Sequence, residues 1–348
     1  MDNEELIENY KNQAYYQIGK ESKGRYKHFM YCPFTGLGLY QGFRGNRWLK
    51  NRIKIFKQFV IPSLQAQTSQ EFTLWISWRH EERFNSIVKE FQEYLKAINL
   101  DVVHTFSGVC FYDDKYPPEE ARNRLLDAIH GAMMDLVNTT EGEVGYEWVL
   151  MTIQPSDDCY HKNFVQGIQT MFKNSDLYPL QAIGFTKGYL MNYQTKEIAE
   201  WNPKTNPPFY TIKMPRPIFI NPTEHVKYTA LKHEVGQYKA GTPLPSHEYV
   251  ADCMRYGKID ERGFLVGTHG ENISTIWKHP YRGQIIDPKV LEDFGLHNVE
   301  VLKLPFSLRR KIFSNLPHKI QRKLRYLAGE KKWILRPIFS WIYNGLRG

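Results

Sequence analysis

In the stretch "YEWVLMTIQPSDDCYHKNFV", residues 146–165, an apolar run stops at a proline and two carboxylates follow side by side, Asp157 and Asp158. Hard carboxylate oxygens at such a point suit a divalent cation, Mg²⁺ or Mn²⁺, that neutralises the phosphate charge of a nucleotide substrate. The same residues have a plainer use. Ser156 or Asp157 can cap a helix over "HKNFVQGIQTMF", with the acids complementing its positive end. The two uses are compatible, because a helix start is itself favourable to anions. Further along, "GTHGEN" places His269 two residues after Gly267 and directly before Gly270. Those glycines allow close backbone approach, and a neutral imidazole can ligate a metal or donate to a phosphate.

These groups need a scaffold, and the hydrophobic pattern supplies one. "KHFMYCPF", "FTLWISW", "DVVHTFS" and "YEWVLMTI" read as strands. Between them lie helical patterns over "NRWLKNRIKIFKQFVIPSLQAQ", "EERFNSIVKEFQEYLKAI" and "PPEEARNRLLDAIHGAMMDLV". This alternation predicts a parallel sheet covered by helices, in which ligands bind beyond the carboxyl ends of the strands. "PSDD" falls just past the fourth strand. From about Leu177 the pattern turns irregular, with short strands such as "YLMNY" and a proline-rich stretch.

The sequence divides into a polar lead-in over residues 1–24, an α/β domain over 25–295 and a basic amphipathic helical tail over 296–348, its short helices separated by Pro317, Gly329 and Pro337. The formal charge of the chain is +9; residues 301–348 hold twelve Lys or Arg and one acid, Glu330, a net +11 that leaves −2 on the other 300 residues. Interleaved basic and large apolar residues in the tail suit an anionic membrane surface. They equally suit a helical extension packed on the body. The four cysteines, Cys32, Cys110, Cys159 and Cys253, form no CxxC pair, which points to a reducing, cytosolic interior. The polar N-terminal stretch has no apolar core of a signal peptide, and no apolar run approaches bilayer-spanning length. The expected place is cytoplasmic, peripheral at the inner face of a membrane where the tail binds one.

"EEARNRLLDAIHGAM…YEWVLMTIQPSDD" resembles the family-two-like glycosyltransferases of the GT-A fold, in which an Ala-Arg-Asn helix start precedes a strand ending in Asp-x-Asp-Asp. "PSLQAQT" with the strand after it is similar to that family's P-S-L-x-x-Q-T element, and "ERGFLVGTHGENIST" resembles a His-Asn motif of its rhamnosyltransferase branch. The likeness spans about 27 to 277. It implies a GT-A-like, mostly parallel sheet flanked by helices, and transfer of a sugar from a nucleotide-sugar to a saccharide or lipid-linked cell-envelope acceptor. By resemblance, Arg122 and Asn123 meet the nucleotide-sugar, Asp157, Asp158 and His269 meet the metal and diphosphate, and Asn272 supports them. An inverting transfer needs a base for the acceptor hydroxyl. Glu248 in "PSHEYVADC" and Glu234 in "LKHEVG", each beside a histidine, are the candidates, Glu248 ahead because it lies closer to His269. There are two departures from the family pattern. Pro155 stands where the first acid of the motif belongs, and the second strand ends in "WISWRHEE" instead of two aspartates.

Two other classes fit less well. Gly36, Gly38 and Gly42 in "TGLGLYQG" approximate a dinucleotide-binding glycine pattern, yet no acid follows at the usual interval. A pI of about 9.1 suggests nucleic-acid binding. The near-neutral body lacks the basic face that binding requires, so no nucleic-acid partner is expected.

Overall fold

Strand β1 (Tyr26–Pro33) shows how the sheet is built. Its odd residues Phe29 and Tyr31 join one apolar cluster, while its even residues Met30 and Cys32 join another on the opposite face. This is the two-residue period of a strand covered on both sides. The computed structural model describes residues 26–36, 45–108, 131–132, 135–136, 146–173, 181–204, 207–221, 250–269 and 282–304.

β2 (Thr73–Arg79), β3 (Val102–Gly108) and β4 (Trp148–Ile153) are all parallel to their neighbours in the order β3-β2-β1-β4. The expected α/β architecture, a central parallel sheet flanked by helices, is thus present. Beyond β4 the sheet continues with antiparallel pairs. β8 (Tyr210–Pro215) lies against β4, and β6 (Ala182–Asn192) pairs with β8 through its first residues and with β7 (Ile198–Trp201) through its last. Along its other edge β6 runs parallel to β9 (Tyr256–Thr268), which also pairs with the two-residue β5 (Cys159–Tyr160). β10 (Arg282–Ile286) closes the edge beside β7.

The half that reads as irregular therefore contains the two longest strands, of eleven and thirteen residues. β9 hides its strand character because Lys258, Glu261 and their neighbours face solvent while Phe264 to Thr268 are buried. No single period runs through it.

The helical stretch after β1 comprises α1 (Asn46–Ile55), a wider π-helical turn (Phe56–Val60) and α2 (Ile61–Gln65). Pro62 explains the wide turn. It has no N–H to give, and its ring crowds the carbonyl of Gln58 four residues earlier. The N–H of Ile61 reaches instead to the carbonyl of Phe56, five residues back. The expected helix over 81–98 is interrupted: a 3₁₀ turn (His80–Phe84) precedes α3 (Ser86–Lys96), because the Asn85 side chain accepts the N–H of Ile87 at 2.9 Å and starts a new helix there. α4 is Phe164–Lys173, α5 is Arg216–Phe219 and α6 is Val250–Cys253.

α1, α3 and α4 cover one face of the sheet through Leu49, Ile53, Phe56, Phe91, Leu95 and Ile168. α5 and the helical residues Ala132 and Leu136 cover the other. Residues 296–304 also pack on the body. Leu302 is buried and its N–H donates to the Tyr193 carbonyl at 2.8 Å, while Lys54 Nζ and Gln58 Nε2 donate to the carbonyls of Lys303 and Glu300 at 2.8 and 2.6 Å. Among the described residues no helix is long and apolar enough to cross a membrane.

Candidate active site

β4 leaves the sheet between β1 and β8, and the chain turns at once into β5. Gln154 closes that turn: its Nε2 donates to the carbonyls of Pro155 at 2.8 Å and Asp158 at 2.9 Å. Its backbone N–H continues the ladder to the Tyr31 carbonyl at 2.7 Å. Asp157 and Asp158 are thereby held at the carboxyl rim of the parallel sheet, as expected from the pattern. Adjacent residues of so tight a turn point apart, and the two carboxylates have different surroundings.

Asp157 faces two donors. Arg52 Nη1 lies 2.5 Å from its Oδ2, and His269 Nε2–H donates to the same oxygen at 3.1 Å. A carboxylate only accepts, so this bond places the hydrogen of His269 on Nε2. The Arg52 and His269 side chains are 0% exposed, whereas that of Asp157 is 15% exposed. Asp157 is therefore the member of this trio that meets solvent. Burial would raise its pKa, but the Arg52 charge and then the His269 hydrogen bond outweigh burial and hold the carboxyl well below its usual range. Asp158 behaves oppositely. Its Oδ1 accepts the N–H of Gly267 at 2.9 Å, and burial followed by the Asp157 charge pushes its pKa well above normal. Within the pair, Asp157 is favoured as the charged member and Asp158 as the neutral one.

Three elements bring the trio together. Arg52 comes from α1 and Asp157 from the β4–β5 turn. His269 follows β9, whose last residue is tied to β6 by Thr268 Oγ1 donating to the Met191 carbonyl at 3.1 Å. The Tyr193 hydroxyl donates to the Asp157 carbonyl at 2.8 Å. Its ring stacks on Phe59 with centroids 3.6 Å apart and planes 4° off parallel. Phe59 belongs to the π-helical turn, so the distortion imposed by Pro62 ends at the carboxylate loop. Gly267 is required here: a Cβ would collide with the Asp157 carbonyl oxygen and the Tyr193 ring.

The P-S-L-x-x-Q-T element grips the chain just after the acids. Ser63 Oγ donates to the Tyr160 carbonyl at 2.8 Å and accepts the Tyr160 N–H at 2.9 Å. Gln67 Nε2 donates to the His161 carbonyl at 2.9 Å, and its Oε1 accepts the Val165 N–H at 3.1 Å. The Thr68 N–H donates to the Lys162 carbonyl at 2.8 Å. The proposed capping of the following helix by Ser156 or Asp157 does not occur. α4 starts only at Phe164, and the Val165 N–H in its first turn is met by Gln67, two residues past the end of α2. The acids are released from helix duty.

Arg122, Asn123, Glu234, Glu248 and Asn272 lie outside the described residues, as do Gly38, Gly42 and Gly270. Gly36 packs against the second strand: its N–H donates to the Ser77 carbonyl at 3.1 Å, and a Cβ would collide with the Trp78 carbonyl. It cradles strand backbone. The sequence reading had Ser63 and Gln67 only as members of the P-S-L-x-x-Q-T element, without a role, and missed Arg52 and Tyr193. A signal for Arg52 existed, since it stands on the apolar stripe Trp48, Leu49, Ile53, Phe56. A charge at an inward position requires a buried partner.

As placed, Asp157, Asp158 and His269 do not form a cage for a cation. Asp158 Oδ1 is committed to Gly267, and His269 Nε2 to Asp157. Among the described residues no group of three His, Cys, Asp or Glu is arranged to hold a metal ion. A cation here would have Asp157 as its one outward carboxylate and would need a ligand's phosphates for its other oxygens.

Residues 43–215 match the family described as "Putative rhamnosyl transferase". Among curated proteins no match reaches significance. Among solved structures, S. aureus TarS 1–349 matches with 12% identity and a TM-score of 0.32, covering 92% of this chain and 88% of that one. The two backbones superpose too loosely for residues to be equated. With the family match and the acids at the rim of its α/β sheet, the chain is classed as a glycosyltransferase built on a central parallel sheet flanked by helices. Within that class, residues 43–215 resemble the rhamnosyltransferase group.

Proposed function

We propose that this glycosyltransferase takes its sugar from a nucleotide-sugar and passes it to a saccharide or lipid-linked acceptor, with the diphosphate bound at Asp157. The observation that supports this most is the division of labour in the acid pair. Asp157 is charged, solvent-facing and backed by Arg52, whereas Asp158 is turned inward to hold the loop. A rhamnosyl donor follows from the family description alone.

In this reading the leaving diphosphate lies over the rim of β4. A divalent cation, Mg²⁺ or Mn²⁺, supplies Lewis-acid neutralisation of the leaving charge. Asp157 orients the diphosphate side of the donor, and His269 and Tyr193 keep the Asp157 loop in place. Arg122 and Asn123 meet the nucleotide. Glu248, or Glu234 in its place, accepts the proton of the acceptor hydroxyl as the new glycosidic bond forms. The basic stretch 301–348 brings the enzyme to an anionic surface carrying the acceptor.

A melting-temperature screen of UDP, GDP and dTDP and their sugars, with and without Mn²⁺, tests the reading. A ligand that binds only the folded state must raise the melting temperature by mass action. One nucleotide series is expected to raise it in the parent and not in Asp157→Asn. A flat response to every nucleotide removes the proposal.

A further inference from the structure

We infer that Arg52 is a positioning residue for this site: a buried guanidinium that never touches the substrate but fixes the Asp157 carboxylate in the orientation the diphosphate side meets. The inference rests on the reading of the Asp157 rim as the ligand site.

The geometry carries it in three ways. Arg52 is fully enclosed, so a ligand cannot reach it, yet Nη1 lies 2.5 Å from Asp157 Oδ2. The same oxygen accepts His269 Nε2–H, so one carboxylate oxygen is held by an ion pair from one element and a hydrogen bond from another. The guanidinium is itself pinned, with its carbon 5.3 Å from the centre of the Trp48 ring, one helical turn back. Its helix is anchored on the far side of the π-helical turn by Ser63 and Gln67, which hold the chain just after the acids. Helix and loop form one clamp.

The chemistry explains why an arginine is used. Pro155 removes one acid from the family motif, and Arg52 sets a permanent positive charge directly behind Asp157, the acid whose side chain meets solvent. A planar guanidinium imposes direction on a carboxylate, while an ammonium acts as a compact point charge on a flexible stem. Arg52→Lys should preserve the charge and part of the orientation. Arg52→Met preserves the bulk and loses both.

The test uses the full chain. In ¹⁵N-histidine-labelled protein without ligand, the His269 imidazole signals report its hydrogen bond to Asp157. Arg52→Met is expected to move them and Arg52→Lys to leave them near the parent position. In calorimetry with the nucleoside diphosphate that responds in the melting screen, Arg52→Met should weaken binding at least ~10-fold and Arg52→Lys less, while adding Arg52→Met to Asp157→Asn should change affinity no further. Unmoved His269 signals in Arg52→Met overturn the inference whether or not a nucleotide binds. Failure of the parent to bind any nucleotide sinks the proposed function and leaves the His269 comparison to decide Arg52. Should Arg52→Met unfold, the double variant Arg52→Met/Asp157→Asn decides. Recovery of its melting temperature supports the coupled pair, and no recovery refutes it.

Discussion

The side-chain oxygen of Gln67 accepts the backbone N–H of Val165 at 3.1 Å, so a residue just past the end of α2 serves the first turn of a helix 98 positions along the chain. The amide nitrogen of Gln67 binds the His161 carbonyl at 2.9 Å, so both ends of the carboxamide are used. Gln67→Ala takes the partner from the Val165 N–H, at a cost of about 1–3 kcal/mol, whereas the His161 carbonyl keeps the Phe164 N–H at 2.8 Å. Urea unfolding should show a loss in that range. Gln67→Glu buries a carboxylate and sets one of its oxygens against the carbonyls of Ser63 and His161, and should lose at least as much as Gln67→Ala. A loss below about 0.5 kcal/mol for Gln67→Ala would show that the clamp carries no strain-free advantage over water.

Gly267→Ala sets a methyl group against the Asp157 carbonyl and the Tyr193 ring. Overpacking of this kind costs about 1–3 kcal/mol, and here the atoms that must yield are those of the site. The variant should melt lower and lose the nucleotide response together. A stable variant that still binds nucleotide would show that the β9 end can move away from the acids at no cost.

Tyr193→Phe keeps the stack on Phe59 and deletes only the hydroxyl that donates to Asp157. The expected loss of stability is about 1 kcal/mol, read as a lowered urea midpoint with an unchanged slope. Phe59→Ala removes the stack itself and should cost about 3–5 kcal/mol.

The core contains a histidine that resists protonation. His28 Nδ1 accepts from Gln169 Nε2 at 3.3 Å and its Nε2–H donates to Thr152 Oγ1 at 2.7 Å, so the neutral ring is satisfied. Burial pushes its pKa down from 6.5 to about 3, and burial pushes His104 down to about 4. Because the folded values are depressed, these groups favour folding fully above pH 6.5, and that advantage drains away as pH falls towards 3. Each contributes a slope of about 1.4 kcal/mol per pH unit within its window. Urea unfolding at pH 7.5, 6 and 5 should show the parent losing stability faster than His28→Gln. Parallel curves would contradict the neutral buried ring.

Truncation after Leu304 leaves the packed residues 296–304 in place. Sedimentation with vesicles containing anionic lipid should pellet the full chain and not the truncated form, with the difference shrinking as salt rises. Equal pelleting of both forms removes the membrane role of the tail.

The parallel half of the sheet was legible because its strands are buried on both faces and read as continuous apolar runs, such as "TLWISW" and "WVLMTI". The rim position of Asp157 and Asp158 followed from that reading. β6 and β9 were not legible, since each is part buried and part solvated and their pairing depends on contacts some 74 residues apart, such as Ala182 with Tyr256.

What the linear order of residues settled by itself was the alternation of elements and the surfacing of two acids at a strand end, because periodicity and punctuation are local properties of a chain. What only the folded molecule decided was how the surroundings of the two acids differ. That depends on a guanidinium from α1 and an amide N–H from Gly267 arriving on opposite sides of the turn, 105 and 109 residues away from Asp157 and Asp158. Electrostatic environment is set by distance in space, and neither residue type nor spacing along the sequence encodes it.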